Sequence, residues 1–206
     1  MKIECIHVGE LEVNCYLLTK GSSAVIIDPG ASFDRLVKII EDKKVLPKAI
    51  ILTHGHFDHI GAVSKLSQKF NAPVYAHKGD EEMLSDNEKN LAKGFGCSVD
   101  PCEIDVYLED ESTLEIDGIS FRVYHTPGHS NGGVCLYTNG GVFTGDLLFK
   151  NSIGRFDRGD LRTELKSLKR VMDTFSDETI VYAGHGEKTT IGDERRYNPY
   201  IVNHIN

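Results

Sequence analysis

Residues 53–59, Thr-His-Gly-His-Phe-Asp-His, hold four groups with metal-ligand chemistry in six positions: His54, His56, Asp58 and His59. At this chain's His and Asp content, an H-x-H-x-D-H pattern arises by chance with a probability on the order of one in a thousand. Imidazole nitrogen and carboxylate oxygen suit zinc, iron or manganese, and the lack of Cys in the segment argues against a closed structural thiolate site. On an extended chain His54 and His56 project to one side, while Asp58 and His59, at the turn into a helix, can address a second point. Two cations are therefore served more readily than one. A lone His would be explained by a solvated loop, but four such groups lose hydration together with Asp58 as their only local countercharge, a cost that a bound cation offsets.

Four residues seldom complete two coordination spheres, and the rest of the chain supplies candidates in a recurring setting. His129 follows the turn Pro127-Gly128 after the apolar run 119–124. Asp146 follows Val142-Phe143-Thr144-Gly145, and His185 follows Ile180-Val181-Tyr182-Ala183-Gly184. Each lies just past the last apolar residue of a strand, as does the 54–59 cluster, and in a layered α/β fold such ends gather on one edge. His7, His77, His125 and His204 lack that setting and read as structural or surface residues.

The elements that must position these groups are legible in outline. Short β-rich runs fall at residues 5–8, 14–19 and 24–27, followed by an amphipathic helix from Ser32, as N-cap, through Phe33, Leu36, Val37 and Ile40. The unbroken apolar run 49–52 predicts a buried strand. A second helix is expected over 61–70, a strand over 74–76, a polar helical stretch over 79–91 and a loop over 94–101. Asp117-Gly118 and Asn139-Gly140-Gly141 each sit between β-type segments, the strongest short hairpin signal. Asp160 caps a helix whose stripe Leu161, Leu165, Leu168, Met172 and Phe175 reads as core packing. Hairpins interleaved with strand–helix alternation imply mixed sheets covered by helices.

With 206 residues, 40% hydrophobic and 26% charged, the chain is expected to form one domain, residues 1–206, with a real core. The net charge of −8 and the lack of a dense Lys/Arg run disfavour nucleic-acid binding. Glu4 and Glu10 interrupt any secretory apolar region, and no 18-residue apolar run follows, so no membrane association and a cytoplasmic location are expected. The five cysteines form neither a C-x-x-C pair nor a zinc framework.

Thr-His-x-His-x-Asp-His, then His129 in Thr-Pro-Gly-His-Ser, Asp146 in Thr-Gly-Asp and His185 in Gly-His-Gly, in this order, resembles the metallo-β-lactamase fold superfamily from Asp28-Pro29-Gly30 to His185. Gly145-Asp146-Leu147-Leu148-Phe149 with Gly154-Arg155-Phe156-Asp157 is similar to the glyoxalase II (hydroxyacylglutathione hydrolase) group, above all its short bacterial members. The resemblance implies an α/β fold, a four-layer αββα sandwich of two mixed β-sheets with helices on the outer faces. It further implies two divalent ions, zinc first and iron or manganese as alternatives. His54, His56 and His129 would hold one, and Asp58, His59 and His185 the other. Asp146 would bridge, and Asp28 would support the histidine loop from behind. The implied chemistry is hydrolysis of a small-molecule thioester by a metal-bridging hydroxide, with Asp58 and Asp146 as catalytic carboxylates and Arg155 as a contact for an anionic substrate.

Two departures bear on the carrier thiol. Asp157 and Glu187 stand where that group presents tyrosines, and only 21 residues follow His185 where full-length members carry a helical, basic glutathione-gripping domain. Both disfavour glutathione, and Arg155 could equally pair with Asp157. The nearest rival within the superfamily is a mononuclear iron persulfide dioxygenase using His54, His129 and Asp146. A metal-holding binding module without turnover is the rival of another class.

Overall fold

The computed structural model describes residues 1–155 and 160–205. The first sheet is built from β1 (Lys2–Val8), β2 (Val13–Lys20), β3 (Ser23–Ile27), β4 (Leu46–Ile51), β5 (Val74–His77) and β6 (Val106–Leu108), paired in that order. β1, β2 and β3 are antiparallel neighbours, whereas β3 through β6 run parallel. The parallel pairs require crossovers, supplied for β3–β4 by α1 (Phe33–Lys43), for β4–β5, after the short α2 (Phe57–Ile60), by α3 (Val63–Phe70), and for β5–β6 by residues 78–105, which hold only 3₁₀ turns.

The second sheet comprises β7 (Thr113–Ile116), β8 (Ile119–His125), β9 (Val134–Thr138), β10 (Gly141–Gly145), β13 (Ile180–Ala183) and β14 (Thr189–Thr190), in the spatial order β14-β13-β10-β9-β8-β7. A small hairpin, β11 (Leu148–Phe149) and β12 (Ser152–Ile153), precedes α4 (Leu161–Thr174), and α5 (Ile191–Tyr197) and α6 (Pro199–His204) close the chain. Both hairpins expected from Asp-Gly and Asn-Gly form: Asp117, Gly118, Asn139 and Gly140 all have positive φ, the geometry that matches the twist of the flanking strands.

Side-chain alternation produces the layers. Leu18, Val25, Ile27 and Ile51 point inward to meet Phe121, Val123, Leu136 and Phe143 of the second sheet. Their neighbours Leu17, Ile26 and Ile50 point outward under Leu36, Ile40, Val63 and Leu66 of α1 and α3. On the far side, Val142 and Val181 pack under Leu168, Val171 and Met172 of α4 and Ile191 and Ile201 of α5 and α6. The result is the helix–sheet–sheet–helix sandwich.

The helix expected over 61–70 forms as α3, Val63–Phe70, just after the separate short α2. Two local expectations are corrected. The polar stretch 79–91 is a 3₁₀ turn over Lys78–Leu84 followed by turns, since Asn87 and Asn90 bond to nearby backbone in place of a helical ladder. Ser32 occupies the N-cap of α1 but at φ +60 with no capping bond. The α4 stripe packs as expected, with Leu168, Met172 and Phe175 buried in the core and Leu161 and Leu165 against it; the buried face also takes in Glu164, Ser167 and Val171, and Asp160 caps the helix by accepting the Arg162 N–H at 3.0 Å.

This architecture sets where the site lies. β8 and β10 each run antiparallel to β9, and β13 runs parallel to β10, so β8, β10 and β13 leave the sheet at the same edge. The first sheet joins that edge through the Val134 N–H bonded to the Thr53 carbonyl at 2.9 Å and the Asn14 N–H bonded to the Gly184 carbonyl at 2.8 Å.

Candidate metal centre

At this edge the structure brings together all seven side chains singled out as ligands. His54, His56 and His129 offer ligand atoms within 4.8 Å of one another, and Asp58, His59 and His185 form a second such group. Asp146 lies between them: its carboxylate oxygens are 3.3 Å from His59 Nε2, 3.6 Å from His129 Nε2 and 3.6 Å from His185 Nε2. The Nε2 atoms of His54, His59 and His129 and Oδ1 of Asp146 are buried with no hydrogen-bond partner. Buried polar atoms left unpaired are costly. Converging lone pairs of this kind match the donor set that a divalent cation takes, so the residues present fit a metal.

The opposite ring nitrogens explain why those lone pairs point inward. His59 Nδ1 donates to Asp28 Oδ2 at 3.0 Å, His129 Nδ1 to the Arg155 carbonyl at 2.8 Å, and His185 Nδ1 to the Leu11 carbonyl at 3.0 Å. Thr53 Oγ1 spends its proton on Asp28 Oδ2 at 2.5 Å, which leaves it to accept from His54 Nδ1 at 3.1 Å. Each acceptor fixes the proton on Nδ1 and frees Nε2 as ligand. Asp28, His54 and His59 also lie close enough to form a ligand group. Asp28, however, already accepts from Thr53 N, Thr53 Oγ1 and His59 Nδ1, and serves as a bracket behind the site.

Backbone geometry completes the placement. β10 shifts register between Phe143 and Gly145, and Gly145 sits at φ +50, turning the chain so that Asp146 faces inward. A Cβ at Gly184 would collide with Asp146 Oδ1, so only glycine allows the strand bearing His185 to approach so closely.

Electrostatics separate the histidines. Burial, then the neighbouring imidazoles, pushes His54 well down, and burial with His129 pushes His56 down to about 3, so both present neutral lone pairs at neutral pH. Burial opposes the charged form of His59 and His185 too, but Asp146 and Asp28 hold His59 up, and the Asp58 hydrogen bond and Asp146 hold His185 up. Asp58 and Asp146 stay below the usual carboxylate range against the opposing effect of burial, Asp58 through its hydrogen bond from His185 and Asp146 through the His59 charge.

Three positioning groups escaped the sequence reading. Thr53 links Asp28 to His54. Asn14 holds the His185 turn through its Nδ2, which donates to the carbonyls of Ala183 at 3.0 Å and Gly186 at 2.9 Å. Asp80 accepts from Gly55 N, Ser130 Oγ and Gly132 N. All are buried polar side chains at element ends, and their partners lie up to 172 residues away, so no local pattern marks them. His77 and His125, set apart from the cluster, stack on each other with centroids 3.9 Å apart.

A cavity of about 440 Å³ opens over the centre and is bordered by His56, Asp58, His129, Asp146, His185 and Arg155. Glu187 is exposed and pairs with Lys150 instead of lining it. Asp157, and with it the alternative Arg155–Asp157 pair, lies outside the described residues.

The sequence profile of the Metallo-beta-lactamase superfamily matches residues 8–185, a span that contains every group of the cluster. The chain belongs to that superfamily. Hydroxyacylglutathione hydrolase GloC of Haemophilus influenzae is 37% identical over 212 residues, covering 98% of each chain. The metallo-beta-lactamase fold recurs in the crystal structure of the BLEG-1 B3 metallo-beta-lactamase, with a TM-score of 0.92 and 37% identity over 97% of this chain and 99% of that one. TTHA1623, solved in a di-iron-bound form, matches with a TM-score of 0.87 and 38% identity over 96% and 99%. The chain is thus a member of a metallo-hydrolase superfamily whose histidine and aspartate cluster fits a bound metal.

Proposed function

We propose that the protein is a thioester hydrolase that works with two divalent cations. His54, His56 and His129 hold one, Asp58, His59 and His185 the other, and Asp146 is shared. The observation that carries the reading is the position of Asp146 between two separate groups of three ligands, each with lone pairs aimed inward. Bound cations of this kind supply an ionised water near neutral pH and polarise the substrate carbonyl. The mixed nitrogen and oxygen donors accept zinc, iron or manganese.

The protein's own groups do the rest. Asp58 borders the cavity with an oxygen 3.4 Å from His185 Nε2, placed to take a proton and return it to the departing group. A thiolate needs little such help, which suits a site whose carboxylates are ionised. Arg155, at the cavity border, is placed to meet an anionic part of the substrate.

The test is metal content of anaerobically purified protein combined with hydrolysis of a thioester panel at defined zinc, iron and manganese loading. About two metal ions per chain and thioester cleavage are expected. One iron per chain with oxygen uptake on addition of a persulfide would replace this reading with the mononuclear dioxygenase. Full metal loading without turnover of any ester would favour a binding module.

A further inference from the structure

The cavity over the centre does not end at the ligands. On the Asp58 side it shares the wall residues Leu11, Phe57, Asp58 and Phe95 with an adjoining lobe of about 540 Å³. Val8, Ala31, Phe33 and Val99 wall that lobe. Three of the polar groups at its border are engaged: Lys65 lies 3.5 Å from Asp100, Ser32 Oγ accepts the Gly9 N–H at 3.4 Å, and the Cys97 thiol donates to the Ala92 carbonyl at 3.4 Å; Glu10 and Ser98 stand at its rim. Phe95 is 55% exposed and its ring packs against Phe57 with centroids 4.9 Å apart, so an apolar lip stands open to solvent at the junction of the lobes.

The opposite side differs in kind. Past His56, His129 and Leu91 the central cavity adjoins a lobe of about 710 Å³ edged by Glu82, Glu88, Lys89, Asp160 and Thr163. A carbonyl held over the centre therefore has an apolar side toward Asp58 and a charged, polar side toward His56 and His129. A three-carbon hydroxylated acyl group would fill little of the apolar lobe and leave its hydroxyl against carbon. A longer aliphatic or an aromatic acyl group would fill it.

We infer that the substrates are thioesters of apolar acyl groups, larger than about four carbons, with the acyl chain in the Asp58-side lobe and the polar body of the carrier thiol on the His56 and His129 side. This rests on the thioesterase reading above. Burial of each added methylene favours binding about three- to fourfold. The same preference extends to any ligand that carries such a chain, hydrolysable or not.

The experiment uses the metal-loaded protein and N-acetylcysteamine thioesters with acetyl, butyryl, hexanoyl and lactoyl groups. The expected result is kcat/KM at least about tenfold higher for hexanoyl than for acetyl, with lactoyl below butyryl. Ala31→Phe, which occupies the lobe, and Phe95→Ser, which removes its lip, should each lower the hexanoyl-to-acetyl ratio, Ala31→Phe by about tenfold. A second measurement needs no turnover. Calorimetry should show the thioether S-hexyl-N-acetylcysteamine binding about tenfold tighter than the S-methyl compound, with the difference lost in Ala31→Phe. A flat or lactoyl-led series with an unaltered ratio in both variants overturns the inference, and so does a preference for chain length in the thiol of acetyl thioesters. If no thioester is cleaved, the thioesterase reading fails, and the thioether titration still decides for or against an apolar ligand.

Discussion

The carboxylate of Asp80 accepts the backbone N–H of Gly55 at 3.0 Å, inside the segment that carries His54 and His56. The same carboxylate accepts Ser130 Oγ at 2.7 Å and Gly132 N at 2.6 Å, on the turn that carries His129. One buried acid thus ties together two loops from different sheets that present the three ligands of one proposed metal position.

Asp80→Ala should therefore act on both stability and metal affinity. It strands two amides and a hydroxyl, a loss of about 2–4 kcal/mol, and loosens the His54, His56 and His129 group by about 10- to 100-fold in affinity. Chemical denaturation and a competitive metal titration read the two effects. Unaltered affinity in a folded variant would reduce Asp80 to a structural bond.

Asp146→Asn tests the shared carboxylate. The amide keeps the shape but presents a neutral oxygen and a donor to His59, His129 and His185. Thioester hydrolysis should fall by more than about a hundredfold, with metal content measured on the same sample. Unchanged hydrolysis at full loading would defeat the proposed bridging role.

Metal binding should release protons. His59 and His185 are held above the ordinary histidine range and must deprotonate to donate Nε2, whereas His54 and His56 are already neutral. Affinity should then increase as pH is raised, with protons released from His59 and His185 on binding. Calorimetry in buffers of different ionisation enthalpy checks this, and a buffer-independent heat would contradict it.

Glu164 should make stability fall with rising pH. It is fully buried, neither carboxylate oxygen has a hydrogen-bond partner, and burial, with the charge of Asp146, pushes it up to about 8 from an ordinary 4.5. The folded state therefore holds the proton more tightly than the unfolded state. The contribution is fully present below about pH 4.5 and is lost as pH rises through 8, on the order of a few kcal/mol. Glu164→Gln mimics the protonated form and should flatten the wild-type decline in Tm between pH 5 and pH 9. Parallel curves would refute the assignment.

Sequence and fold connect unevenly. Ala49-Ile50-Ile51-Leu52 reads as one unbroken apolar run, and only the sandwich shows why: Ile51 faces the second sheet while Ile50 faces α1 and α3, so both sides of the strand are dry. The α4 stripe reads correctly as core, yet it leaves out one buried neighbour. A polar Glu164 at a fully buried position violates the amphipathic rule that periodicity relies on, and nothing within one helix reveals that it packs against Gly128 beside His129.

The residue types and their order along the chain were enough to select the His and Asp groups and the superfamily, because each ligand candidate follows a strand's last apolar residue and that signal is local. The brackets behind them were not legible. Apart from Asp28, which the family resemblance supplied, Thr53, Asn14 and Asp80 act through contacts that only folding makes, and a buried acceptor is recognised by the donors around it. The two lobes flanking the centre also exist only in three dimensions, since Ala31, Phe57 and Phe95 share a wall without sharing a segment. Local chemistry is written in the order of residues; which nitrogen points inward, and what lies beside it, depends on packing between sheets.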